Sequence, residues 1–153
     1  MHSLELKVPP LVVLVVVAAT LWLVAKAVPQ ADFQLPARPA VALILATVGV
    51  GTAVAGVVSF RRAKTTVNPL KPDAASSLVT SGIYRLTRNP MYLGMLILLA
   101  GWAALWSNTF GFLVVPSFVL YMNRFQILPE ERALTTLFAS EFATYCARVR
   151  RWL

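Results

Sequence analysis

Between residues 40 and 60 the chain carries no charged side chain. At 1.5 Å per residue a helix of that length covers about 30 Å, the thickness of a bilayer's hydrocarbon core, and few soluble folds can cover such a helix on every side. Three further apolar runs accompany it: residues 11–28, opened by Pro9-Pro10, closed by Pro29 and interrupted only by Lys26; residues 91–106; and residues 110–128. The chain as a whole is 58% hydrophobic and 13% charged, whereas soluble domains are nearer ~45–50% apolar. These features predict an all-α integral membrane protein of about four transmembrane helices. Its 153 residues suit a single membrane domain, with two N-terminal helices in residues 1–62 and the remaining elements in 63–153.

The runs also predict how the spans meet. Gly49, Gly51 and Gly56 offer small surfaces on the second span, where another helix can approach closely. Only Ser107-Asn108-Thr109 separates the third run from the fourth, so those two spans are expected to form an antiparallel helical hairpin. Pro116 is expected to kink the fourth span. Beyond Pro129, Leu134, Leu137, Phe138, Phe142 and Tyr145 recur at three- and four-residue spacing, which predicts an amphipathic helix lying along the membrane surface.

With four spans, both termini share one side with most of the 14 Lys and Arg residues, and only Lys26 and Arg38 fall on the other. The positive-inside rule then sets the termini in the cytoplasm, as expected for a bacterial inner (plasma) membrane. The same arrangement accounts for the net charge of +8 without nucleic acid. The basic residues flank hydrophobic spans and meet anionic headgroups rather than forming a soluble recognition face. Lys7 before the first run is reminiscent of a secretory signal, but no small-x-small cleavage pattern precedes Pro29, so a retained first helix is expected.

The chemistry is bounded by what is scarce. His2 is the only histidine and Cys146 the only cysteine, which excludes a His/Cys zinc site, a Ser-His-Asp triad and an internal disulfide. No metal site is expected. Glu5, Asp32 and Asp73 are expected in flexible segments, leaving Glu130, Glu131 and Glu141 for a site. Glu130 and Glu131 follow Pro129, which is also ordinary helix-start chemistry.

Against this apolar background stands a polar strip, residues 76–94, with Arg85, Arg88, Asn89, Tyr84 and Tyr92 at a bilayer boundary. Polar groups are costly there unless they bind something. A hairpin of the third and fourth spans would return the chain to the rim where the third began. That brings Tyr84, Arg88, Asn89, Tyr92, Arg124, Glu130 and Glu131 around one pocket, open to the cytosol and laterally to lipid.

The residues Leu78-Val79-Thr80-Ser81-Gly82-Ile83-Tyr84, then Arg88-Asn89-Pro90-Met91-Tyr92-Leu93-Gly94, then Glu130-Glu131 with Phe138, Glu141, Tyr145 and Arg151-Trp152-Leu153 resemble the isoprenylcysteine carboxyl methyltransferase family, which is related to the phospholipid N-methyltransferases. The resemblance runs from about Asn68 to the C-terminus and rests on an ordered set of motifs. It implies an S-adenosylmethionine-dependent methyltransferase acting on a lipophilic substrate, with the cofactor-binding and catalytic half in residues 63–153. Cofactor contacts are implied at Asn68, Ser77, Leu78, Val79, Tyr84, Asn89, Pro90, Met91 and Tyr92. Catalytic or substrate-orienting roles fall to Glu130, Glu131, Arg88 and Arg124. Asn89 stands where the family usually has His, and it forms hydrogen bonds but does not titrate near neutral pH. The spacing of the family's substrate-binding Arg lands near Gln126, with Arg124 the nearest cation.

Plainer roles compete for several of these positions. Trp106 and Trp152 read as interfacial anchors, and Arg85, Arg148, Arg150 and Arg151 as charges facing lipid headgroups. Gly82 and Pro90 suit a turn and a helix start. Two other functions remain open from sequence: an NADPH-dependent membrane reductase, whose class shares a similar C-terminal half, and a non-catalytic membrane scaffold. A membrane lipid or small lipophilic molecule is the expected partner, with no nucleic acid.

Overall fold

The computed structural model describes residues 4–63 and 76–153. Among these the chain is helical, with no strand beyond an isolated bridge between Asp32 and Asn108. Helix α1 (Pro10–Ala27) leads through a single 3-10 turn to α2 (Arg38–Arg62). After the polar strip come α3 (Pro90–Trp106), α4 (Thr109–Tyr121), a π-helical turn (Met122–Ile127) and α5 (Leu128–Arg148). Prolines open α1, α2, α3 and α5 in their first turns, where the missing N–H costs nothing because helix-start donors have no intrahelical partner.

Among the described residues three helices are long and apolar enough to cross a membrane: Pro10–Ala27, Arg38–Arg62 and the continuous run Thr109–Arg148, with Pro90–Trp106 a shorter apolar helix. The protein is an integral membrane protein on this ground. The expected third span, residues 91–106, is thus a helix of 17 residues, whose straight length of about 25 Å falls slightly short of a hydrocarbon core.

The helical hairpin is present in outline but is not the main packing relationship of α3. Ser107 adopts φ 47° and ends α3, and Asn108 caps α4 by accepting from the Gly111 N–H at 3.0 Å. The most extensive interface is instead between α2 and α3. A Cβ added at Gly49 would lie 2.7 Å from the Gly94 carbonyl oxygen, and one at Gly101 would lie 3.1 Å from that of Ala42. With no hydrophobic driving force between helices in lipid, such backbone approach maximises dispersion contacts. Gly56 also faces α3, against Met91, whereas Gly51 points into open space.

A first core joins α1, α3 and α4 through Val13, Val17, Tyr92, Leu99, Phe118 and Met122. Exposed apolar residues such as Leu11, Val15, Leu43, Ile44, Leu113 and Leu120 face outward, as suits lipid contact. Helix α4 passes through Pro116 without interruption of the assigned helix, and the regular ladder changes instead at the π turn and at Ala139, where φ is 34°. Helix α5 packs Phe142 and Tyr145 inward against Val79 and Tyr84, with Leu134 and Phe138 alongside, while Leu137 is exposed. Its apolar stripe therefore serves a second protein core at least as much as a membrane surface.

Two acidic residues expected in flexible segments are instead held. Glu5 binds Arg124 at 3.1 Å and Arg132 at 2.5 Å. Asp32 accepts from the Asn108 side-chain amide at 2.7 Å. Asp73 and Asn68 lie outside the described residues.

Candidate active site

The polar strip and the start of α5 meet at one end of the bundle. Tyr92, in the first turn of α3, donates its hydroxyl to Glu130 Oε1 at 2.5 Å, and Gln126 Nε2 donates to the same oxygen at 2.6 Å. The π turn inserts a residue into the helical ladder and buries Gln126 just before Glu130. Such turns tend to mark functional positions, because they redirect side chains that a regular helix would place elsewhere. Glu130 thus holds its carboxyl group at the protein's interior edge with two donors on one oxygen.

Glu131 belongs to a second, adjoining group. Arg151 grips it in a two-point arrangement, Nη2 to Oε2 at 2.5 Å and Nε to Oε1 at 3.1 Å. Arg88 Nη2 lies 3.3 Å from Oε1, and Arg88 Nη1 donates to the Cys146 sulfur. Arg88 Nε is buried and has no partner among the described residues. An unpaired buried guanidinium N–H is costly, so it is a natural donor for an acceptor brought by a ligand.

The C-terminal segment closes over the strip through backbone groups. The Arg88 N–H donates to the Arg150 carbonyl at 3.0 Å. Asn89 Nδ2 and Thr87 Oγ1 both donate to the Arg151 carbonyl, at 2.9 Å and 3.3 Å. Asn89 precedes α3 without capping it through its side chain. Trp152 Nε1 donates to Asn123 at 3.1 Å, so Trp152 is tied to protein rather than left as a simple interfacial anchor. Arg151 is likewise an ion-pair partner and not a lipid-facing charge, while Arg85, Arg148 and Arg150 are exposed.

Tyr84 is buried, stacks edge-on against Phe60 with ring centroids 5.3 Å apart, and its carbonyl accepts from the Tyr145 hydroxyl at 2.7 Å. Burial, together with the nearby Tyr145 and Glu130, pushes its phenol well above the ordinary range. Tyr84 is thus a neutral packing and hydrogen-bonding group at any physiological pH. Val79 is buried and Leu78 partly buried in the same core, Ser77 donates to the Ala63 carbonyl at 3.3 Å, and Pro90 and Met91 begin α3 against Gly56.

Arg124 departs from its expected place. It pairs with Glu5, and the backbone N–H of Leu6 donates to the Phe125 carbonyl at 3.0 Å. The residue that shares hydrogen bonds with Tyr92 and Glu130 is Gln126, the position on which the spacing of the resembled family's Arg falls. Burial opposes ionisation of Glu5, but Arg132 and Arg124 outweigh it and hold the carboxyl below its ordinary range. Glu141 is exposed and takes no part in these contacts. Among the described residues no group of three His, Cys, Asp or Glu side chains is arranged to hold a metal.

Gln126, Arg151, Thr87 and Cys146 are the members that sequence reasoning did not assign to the site. Thr87 and Cys146 lie in no motif that points to a site and join it through contacts with residues distant in sequence, whereas Gln126 and Arg151 fall at or within the resembled motifs but were given no role.

Comparison with known proteins agrees with the resemblance. An uncharacterized protein of Haemophilus influenzae (strain ATCC 51907 / DSM 11121 / KW20 / Rd) is 41% identical over 63 residues, which is the whole of that protein and 41% of this chain. No solved structure matches the chain. The family model described as phospholipid methyltransferase matches residues 37–141, which include α2, α3, the Tyr92–Glu130 contact and most of α5. The chain therefore belongs to the phospholipid methyltransferase family of membrane methyltransferases.

Proposed function

We propose that the protein transfers a methyl group from S-adenosylmethionine to a lipophilic acceptor at the cytoplasmic face of the membrane, as one membrane domain whose cofactor-binding half is residues 63–153. The observation that carries this reading is the Tyr92–Glu130 contact, which joins the polar strip to the end of the last span. The cofactor, when bound, supplies an activated methyl on a sulfonium, and the protein's task is to position, desolvate and balance charge.

The residues present fit such a ligand. The buried, unpaired Arg88 Nε suits a carboxylate acceptor, which it would hold by a charge-assisted hydrogen bond. Tyr92 offers an aromatic face near the strip, and a cation over such a ring gains about 0.5–2 kcal/mol. Asn89 fixes the strip to the C-terminal segment. Glu131 pairs with both Arg88 and Arg151, which leaves one positive charge in the group, and the cofactor contacts at Ser77, Leu78, Val79, Tyr84, Pro90 and Met91 are assigned by resemblance. Asn68 completes the assignment by resemblance alone.

Two acceptor classes fit. A carboxylate, as in an isoprenylcysteine, needs no base and would be oriented by a cation such as Arg124 once Glu5 releases it. An amine, as in a phospholipid headgroup, must lose a proton, and Glu130 is assigned as the group that accepts it. The occupied state of Arg124 and the Gln126–Glu130–Tyr92 arrangement favour the amine, as does the family's description.

The deciding measurement is incubation of the purified protein with methyl-labelled S-adenosylmethionine and a total lipid extract, followed by identification of the labelled product. A labelled lipid carrying one new methyl on nitrogen or carboxyl oxygen is expected. NADPH oxidation without any methylated product would instead establish a reductase, and calorimetry with no cofactor binding to folded protein would establish a scaffold.

A further inference from the structure

A cavity of about 460 Å³ opens at the opposite end of the bundle from Tyr92 and Glu130, lined in part by Lys26, Pro29, Asp32, Arg38, Leu105 and Trp106. It lies where α1 ends, α2 begins and α3 ends, so the length of α3, about 25 Å, separates it from the candidate active site. Lys26 and Arg38 are the two cations that charge asymmetry leaves apart from the rest, and the methyltransferase reading uses neither.

The cavity is built rather than incidental. The Lys26 ammonium sits 4.9 Å from the centre of the Trp106 ring, and Trp102 packs edge-on against that ring at 5.7 Å. Trp106 Nε1 is buried and, among the described residues, has no acceptor. Neither Lys26 nor Arg38 has an acidic partner within 4.0 Å among the described residues. Asp32 is fixed by Asn108, whose amide also donates to the Val28 carbonyl at 2.8 Å. The cavity is thus lined by two cations without acidic partners and by Trp106, whose ring lies under Lys26 and whose buried Nε1 has no acceptor among the described residues, against a single carboxylate already bound.

We propose that this cavity binds the phosphodiester group of a membrane phospholipid, in the leaflet opposite the candidate active site. Two cations against one carboxylate leave one net positive charge, which matches a singly charged phosphodiester better than a doubly charged phosphate monoester. Basic pockets between transmembrane helices take lipid headgroups by this combination of charge and hydrogen bonding. Leu105, Pro29 and the Trp106 ring give the cavity an apolar side, and Trp22, Leu23, Leu43 and Ile44 on the neighbouring helices are exposed, which suits acyl chains and favours a lipid over free phosphate. The site is independent of the methyl-transfer reaction.

Native mass spectrometry of the purified full chain, titrated with phosphatidylglycerol, tests the proposal. Lys26→Gln with Arg38→Gln is expected to remove one tightly bound lipid, lowering its affinity at least tenfold, and Trp106→Phe to lower it several-fold. Arg61→Gln with Arg62→Gln, at the other end of α2, is the control and should retain that lipid. Unchanged lipid binding in the Lys26/Arg38 variant would overturn the proposal, as would equal loss in the control. If millimolar inorganic phosphate binds the same residues and displaces the lipid fully, the ligand is free phosphate and the lipid assignment fails. Should the double variant not fold, the single variants Lys26→Gln and Trp106→Phe give the same discrimination.

Discussion

Tyr92 and Glu130 lie 38 positions apart in the chain and share a 2.5 Å hydrogen bond across the α3–α5 junction. That bond links the polar strip to the carboxylate pair, and Gln126 completes it from the π turn. Glu130→Gln is expected to lower turnover about 10²–10⁴-fold if Glu130 accepts a proton from an amine, with cofactor affinity within about threefold of wild type. Tyr92→Phe should keep the fold and lower turnover less, because Gln126 still holds the carboxylate. Single-turnover methyl transfer and calorimetric cofactor titration separate the two effects, and a Glu130→Gln enzyme of full activity would remove Glu130 from the chemistry.

Asn89 and Arg151 hold the C-terminal segment over the strip. Losing the Asn89–Arg151 carbonyl bond in Asn89→Ala should cost about 1 kcal/mol. Arg151→Ala should cost a similar amount, about 1 kcal/mol, since the guanidinium is partly exposed and its attraction to Glu131 is screened. Both variants should weaken cofactor binding, whereas Arg148→Ala, at an exposed position, should not. Thermal unfolding in detergent together with cofactor titration reads both quantities.

The α2–α3 seam makes an opposed pair of predictions. A methyl at Gly94 would fall 2.8 Å from the Ala53 amide nitrogen and 2.9 Å from its Cβ, so Gly94→Ala should destabilise by about 1–3 kcal/mol through forced separation of the helices. Gly51 has open space around it, and Gly51→Ala should leave packing intact and stabilise by about 0.5–1 kcal/mol through helix propensity. Measuring both by unfolding in mixed micelles distinguishes a packing seam from a general need for glycine.

Glu5 predicts a dependence on pH. Its carboxyl is held below its ordinary range by Arg132 and Arg124 despite partial burial, so the folded state favours the ionised form. The resulting stability is fully present above the unfolded carboxylate range and is lost as pH falls through the lower, folded value. Glu5→Gln should therefore loosen the 4–9 segment at neutral pH and flatten the acid limb of the unfolding profile. Hydrogen exchange at the Leu6 amide, which bonds the Phe125 carbonyl, follows the same event locally.

The first three apolar runs were legible because proline or polar residues bound them, and their helices begin and end within a few positions of those runs, whereas the fourth continues without a break from Thr109 to Arg148. The strip and Glu130 were legible as partners because a helical hairpin must return to its own starting rim. The pairing of Arg124 with Glu5 was not legible, because the π turn changes the angular position of the side chains after Tyr121 and no residue pattern in 122–127 announces it. Arg151 was misread because a basic residue after a membrane helix resembles a topology charge until its ion pair with Glu131 is seen. The glycines of α3 went unassigned because small residues in an apolar run carry no direction without their partner helix.

Sequence by itself determined that this protein is a helical membrane protein, since hydrophobic length survives without knowledge of packing, and its ordered polar motifs carried the resemblance that the family match supports. Tertiary structure decided which cation meets which carboxylate. Ion pairs and hydrogen bonds depend on helix rotation and backbone approach of a few ångströms, and those are set by the α2–α3 glycine seam, the π turn and the C-terminal segment acting together.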